Sequence, residues 1–166
     1  MAQRPAASRS FYNRCPSPGT QQEVTPIATY VITAQYVSIN SVDLTSYVRS
    51  CTLEINADTP EFTSMGSSGA REYKQGLKAG TLNVEFNHDF ANSASATDQA
   101  LWGMFNTGTN VAFELRPTSA GVGATNPKYT GSVVPTNYPA VGGAVGDPAT
   151  VSISWPTSGA IARATS

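Results

Sequence analysis

Two runs of strictly alternating apolar and polar residues, Cys51-Thr-Leu53-Glu-Ile55-Asn and Thr81-Leu82-Asn-Val84-Glu-Phe86, flank a long stretch rich in Gly, Ser and charge. Alternation with a period of two puts one set of side chains on one face of an extended chain, so each run reads as a half-buried strand. The segment between them, NADTPEFTSMGSSGAREYKQGLKAG, far exceeds the roughly two to five residues that usually join paired strands. A connection that long inside a compact domain is either disordered or touches something outside the domain. The chain is therefore expected to be organised around a central strand pair with a reaching arm, Asp58 to Lys78. Glycines in that arm leave room to adjust on docking, and Phe62, Met65 and Tyr73 are its apolar anchors.

The remaining elements follow from the same patterning. Ile27 to Ile39 is β-branched and aromatic, a strand whose alternation slips in the middle, as a bulge or a change of sheet would cause. Asn40 to Asp43 is a turn, and Leu44 to Val48 is either one helical turn or an extended connector. A helix is predicted over about 95–107, with Ser95-Ala-Thr-Asp98 supplying an N-cap and an acid in the first turn. Leu101, Met104 and Phe105 form its apolar stripe, Trp102 widens it and Gly108 ends it. Strands are predicted at Asn110–Arg116, Tyr129–Asn137 (Pro135 marking an edge or a bend) and Val151–Trp155. About six strands and one helix, each clear strand buried on one face, predict an antiparallel β-sandwich or half-barrel with a flanking helix. The expected layout is an extended arm over 1–25, a β-domain over 26–157 with its long loop at 57–78, and a tail over 158–166.

Charge is scarce. Charged residues make up 13% of the chain, while 18 Ser and 19 Thr supply most of its polarity. Such neutral surface suits a β-domain, and it suits burial in an assembly, because a hydroxyl loses far less than an ammonium or carboxylate on leaving water. Before Glu23 there are three arginines and no acid, and the rest of the chain is net acidic. An acidic body argues against a general nucleic-acid binder. Cys15 and Cys51, the only cysteines, lack metal-like spacing and read as free thiols of a reducing compartment. With no run of about 20 apolar residues and no apolar signal core, the expectation is a soluble product made in the cytoplasm, with no membrane contact.

Catalytic patterns are weak. His88 is the only histidine and reads as a polar strand-end residue; Asp89 beside it points to the opposite face, so the two are not a dyad. Gly66-Ser-Ser-Gly69 lacks the lysine of a phosphate loop and the strand-to-helix setting of a nucleophile turn. Asp58 and Glu61 lack the alternating oxygen ligands of a calcium loop. Arg71-Glu72-Tyr73-Lys74 is either a solvated face or a set of inter-subunit ion pairs. No catalytic residue, metal or cofactor is expected.

The order SVDLTSYVRSCTLEI, TSMGSSGAREYKQGLKAGTLNVEFNHDF, ATDQALWGMF, VAFELRPTSAGVGATNPKYTGSVV and GDPATVSISWPTSGAIARAT resembles the tail tube (major tail) proteins of long, non-contractile-tailed bacteriophages. The resemblance runs from Val42 to Thr165 and leaves the N-terminal arm uncovered. It implies a β-sandwich with a flanking helix, forming hexameric rings that stack into a conduit for DNA ejection. It further implies tape measure, tail terminator and distal tail proteins as partners, genomic DNA passing through without specific binding, and a place in the virion after assembly in the host cytoplasm. By position it sets the long loop at the contact between rings, with Glu61, Phe62, Met65, Arg71, Glu72, Tyr73 and Lys74 as contact residues. The arm, through Arg9, Phe11, Tyr12 and Arg14, would lie among subunits. Glu54 and Glu85, alternating away from the core, are the candidates for a lumen wall that repels phosphates, or are ordinary outward strand polarity. The competing reading is another virion β-domain, such as a head decoration or adhesin-like module, whose loop would face solvent and a ligand.

Overall fold

The computed structural model describes residues 31–166. The expected arm over 1–25, with Arg9, Phe11, Tyr12 and Arg14, and residues 27–30 of the expected first strand lie outside the described residues. Seven antiparallel strands form one curled half-barrel sheet in the order β2-β1-β5-β6-β7-β4-β3. They are β1 (Tyr36–Ile39), β2 (Val42–Asp43), β3 (Val48–Ala57), β4 (Lys78–Asn87), β5 (Val111–Arg116), β6 (Lys128–Val133) and β7 (Thr150–Ala164), with helix α1 (Thr97–Thr107) between β4 and β5.

The alternating runs form strands where expected. On β4, Leu82, Val84 and Phe86 are buried; on β5, Val111, Phe113 and Leu115; on β7, Val151, Ile153 and Trp155. Leu101 and Met104 of α1 join them, with Val37, Ile39, Leu44 and Val133, in one core cluster. Each such fully buried side chain is worth about 1.5–3 kcal/mol relative to exposure. Trp155 is both buried and satisfied, its indole Nε1 donating to the Asn137 carbonyl at 2.8 Å.

Several expectations are corrected. Among the described residues the first strand begins at Tyr36, which pairs with Arg116; the next position on the partner strand would be Pro117, which has no N–H to continue the ladder. The slip in alternation therefore marks the strand's start, not a bulge within it. Asn40 and Ser41 both take positive φ (52° and 63°) and close β1 onto β2 as a tight hairpin. The strand expected over 129–137 ends at Val133, and the chain then leaves the sheet with Val134 N–H bonded to the Pro156 carbonyl.

At the C-terminus the strand does not stop at Trp155. β7 pairs with β4 through Pro156 and then with β6 from Thr157 to Ala164, so most of the expected tail is sheet. This one strand joins the two halves of the half-barrel. The turn inward is close: a Cβ on Gly80 would lie 2.9 Å from Ile161 Cδ1 and from Thr157 Oγ1. The expected side-chain cap on α1 is also absent. Ser95 bonds Ser93, Ala96 is the N-cap residue, and the end of β4 serves the helix instead, with the Asp89 carbonyl accepting from Asp98 N–H. Gly108 closes the helix at φ 64°, as expected from the sequence.

The strand pair β3–β4 is not central. β3 lies at one edge of the sheet, and its ten residues pair on one side only among the described residues.

Candidate functional site

Beyond the last β3–β4 pair, Ala57 opposite Lys78, the chain continues as a narrower ribbon. Asp58 N–H donates to the Leu77 carbonyl (2.8 Å), Gly76 N–H to the Asp58 carbonyl (2.7 Å), and Lys74 N–H to the Pro60 carbonyl (3.2 Å). Phe62 N–H donates to the Glu72 carbonyl (2.8 Å). Glu61 and Tyr73 form an isolated bridge. Gly76 has a reason to be glycine, since a Cβ there would meet Pro60 Cδ at 3.1 Å and the Asp58 carbonyl at 3.3 Å.

The tip is closed by hydroxyls. Thr63 Oγ1 donates to Glu61 at 2.6 Å and accepts from Glu72 N–H at 3.1 Å, while Ser64 and Ser67 cap the short turn Met65–Ser67 reciprocally. Ser68 and Gly69 reverse the chain at positive φ. The Gly-Ser-Ser-Gly motif is thus the tip of a hydrogen-bonded ribbon. Backbone hydrogen bonds tie the two sides of the ribbon together, and its exposed side chains are free to make contacts.

Those side chains point into solvent. Phe62 is 53% exposed, Tyr73 55%, Leu77 82%, and Met65 is fully exposed. Lys74 Nζ lies 5.2 Å from the Phe62 ring centroid, and Arg71 reaches Glu61 at 3.9 Å. Exposed pairs of this kind add little to stability. All seven residues expected at the loop contact lie on the ribbon, with Phe62, Met65 and Tyr73 exposed among them.

Glu54 and Glu85 share the outer face of β3–β4–β7. Glu54 stands opposite Thr81, and Glu85 stands opposite Ser50 on one side and Ser152 on the other. Arg49 bonds Glu85 at 3.2 Å, so Glu54 is the carboxylate of this face without a cation partner among the described residues. The rest of the face is Thr52, Asn83 and Ser154, polar and neutral. On the opposite face of β3, Leu53 and Ile55 line an open groove with Ile32, Leu115 and Tyr129. Cys51 on that side is largely covered, and burial pushes its thiol pKa up to about 12.

One polar cluster had no signature in the sequence. His88, expected as a polar strand-end residue, follows the last residue of β4 with its side chain fully buried; its Nε2 lies 3.3 Å from Tyr138 Oη and 3.5 Å from Asp98 Oδ1. Tyr138 donates to Asp98 at 2.5 Å, and its pKa is raised by burial first and by that carboxylate second. Asp89 turns away and accepts from Tyr47 Oη at 3.0 Å, which raises the Tyr47 pKa. These partners lie ten and fifty residues from His88, so only the fold brings them together. Trp102, expected to widen the core stripe, is 51% exposed beside Tyr138 and Phe105. Among the described residues no group of three or more His, Cys, Asp or Glu is placed to hold a metal ion, and no helix is long and apolar enough to cross a membrane.

No protein-family model matches the sequence. No curated protein matches it either. Solved structures share its fold. A chain of the virion of a native gene transfer agent particle superposes with a TM-score of 0.65 at 16% identity, covering 82% of this chain and 99% of that one. A chain from the tail of an empty gene transfer agent particle, refined helically with C6 symmetry, gives 0.57 at 18% identity, covering 78% and 92%. A chain from the sheath-tube complex of an extracellular contractile injection system in its extended state gives 0.57 at 15% identity, covering 90% and 100%. At such identities the likeness establishes the fold.

Proposed function

We propose that this chain is the structural subunit of a phage-type tail tube, self-associating into stacked rings that enclose a channel for DNA. The carrying observation is the ribbon over 58–77: backbone hydrogen bonds tie its two sides together, and it holds Met65 and Leu77 out in solvent with about half of Phe62 and Tyr73 uncovered. A monomer gains nothing from such a projection, whereas a subunit gains buried apolar area from it. The proteins of like fold come from a virion, a tail and a sheath-tube complex, one of them refined with C6 symmetry, which supports six subunits per ring.

In this reading β3 meets the neighbouring subunit of the ring, because a ten-residue edge strand offers unpaired backbone donors and acceptors for sheet extension. The polar face with Glu54 and Glu85 lines the channel. With Arg49 neutralising Glu85, that wall carries few cations to hold phosphates, and DNA passes without specific binding. The N-terminal residues Arg9, Phe11, Tyr12 and Arg14 contact adjacent subunits. The tape measure, tail terminator and distal tail proteins of the same particle are the other partners. The tail is of the long, non-contractile type, built in the host cytoplasm and carried in the virion. Its role is structural and requires no catalytic group.

The test is negative-stain electron microscopy of the full chain at high concentration. Rings or tubes with a central channel support the reading. A monodisperse monomer under all conditions, with tail partners added, overturns it.

A further inference from the structure

The two ends of β4 expose complementary chemistry. At its start stands the ribbon with Arg71, whose side chain is 73% exposed and whose nearest carboxylate, Glu61, is 3.9 Å away. At its other end, about 30 Å along the strand, Asn87 runs into His88-Asp89-Phe90, beside α1 and residues 134–139. Asp98, Trp102 and Phe105 fall at i, i+4 and i+7 on α1, in a stripe that flanks the buried Ala100, Leu101 and Met104. Tyr138 bonds Asp98 and lies with its ring centroid 6.2 Å from Trp102 and 6.5 Å from Phe105. Phe90 lies tilted against His88, with the ring centroids 4.1 Å apart.

The result is a carboxylate framed by rings and open to solvent. Asp98 keeps 39% of its side chain exposed, Trp102 51% of its surface and Phe90 55%, while His88 sits fully buried behind them. No Lys or Arg occurs between Lys78 and Arg116 or between Lys128 and Arg163, and Arg49, which β3 brings to this end of β4, is engaged by Glu85. A carboxylate beside exposed aromatic faces suits a guanidinium, which stacks on a ring while donating charge-assisted hydrogen bonds.

We propose that this aromatic and acidic face receives the Arg71 side chain from the ribbon of a second copy of this chain. The proposal rests on the self-association reading and names the surface that the ribbon meets. Donor and acceptor lie at opposite ends of one rigid strand, so the contact is head to tail. A head-to-tail contact repeats from copy to copy and builds a stack, where a face-to-face contact would stop at a pair.

Two experiments test it. In sedimentation assays Arg71→Asp is expected to raise the concentration needed for assembly about tenfold or more, and pairing it with Asp98→Lys to recover most of that loss. Because Asp98 also holds Tyr138, a second test avoids changing it. Separately made Arg71→Cys and Trp102→Cys chains, each carrying Cys15→Ser, are mixed and oxidised. A 71–102 disulfide between different chains is the expected product. Wild-type assembly with an unaffected Arg71→Asp chain and no 71–102 cross-link would overturn this contact and leave the tube reading standing. A wild-type chain that never associates would overturn both.

Discussion

Gly80 and Ile161 meet where the half-barrel closes, the glycine leaving only the space that the isoleucine Cδ1 fills. A methyl group on Gly80 would approach that carbon to 2.9 Å and the Glu54 carbonyl to 3.0 Å. The contact joins the base of the ribbon to the second half of β7, and through it to β6.

Gly80→Ala is expected to destabilise the fold by about 1–3 kcal/mol, the usual cost of overpacking a tight site. Thermal or urea unfolding checks this. Shortening Ile161 to Val in the same chain should recover only part of the loss, because the Glu54 carbonyl is backbone and cannot yield as a side chain does.

Thr97 links the strand and the helix through one buried hydroxyl. Its Oγ1 accepts from Asp89 N–H at 2.7 Å and lies 3.3 Å from the Asn87 carbonyl. Thr97→Val keeps the shape and leaves the Asp89 N–H unpaired, which should cost about 1–3 kcal/mol in equilibrium unfolding. Thr97→Ser retains the hydrogen bond and should cost less. Equal losses for the two variants would contradict the assignment.

Cys51 should be a slow nucleophile. With its pKa pushed up to about 12 by burial, only about one thiol in ten thousand is ionised near pH 8. In a Cys15→Ser chain, alkylation should be far slower in the folded protein than in urea. The same shift sets a sign for stability. The folded chain holds a proton that the unfolded thiol releases near its ordinary value of 9.0, so this contribution is intact below about pH 9 and is lost as pH rises toward 12. The raised pKa values of Tyr47 and Tyr138 act in the same direction. Stability should therefore fall on the alkaline side, measurable as a declining urea midpoint.

Much of this fold was legible in residues whose burial alternates. Leu82-Val84-Phe86, Val111-Phe113-Leu115 and Val151-Ile153-Trp155 each repeat every second position, and each forms a strand with those side chains inside. What could not be read depended on partners distant in sequence. Residues 157–164 contain only Ile161 as a large apolar residue, so nothing local marks them as strand; pairing with β6 makes them one. Ser95 had the right chemistry to cap α1, but the end of β4 already occupied that place through the Asp89 carbonyl. The position of β3 at the sheet edge follows from pairing order, which alternation does not encode. In the candidate site, the length and composition of the 58–77 segment pointed to contact, whereas its internal ladder depends on Thr63, Ser64 and Ser67 reaching specific backbone groups. The grouping of Asp98, Trp102 and Tyr138 was hidden because Tyr138 arrives from forty residues downstream of Asp98.

The most direct test of the central claim removes the ribbon tip and leaves the sheet. A chain lacking residues 60–69 and the wild-type chain are compared by circular dichroism and by electron microscopy at matched concentration. The expected result is an unchanged β-sheet spectrum in both, with rings stacked into tubes for the wild type and no tubes for the shortened chain. Tubes of normal length from the folded, shortened chain would contradict the role assigned to the ribbon.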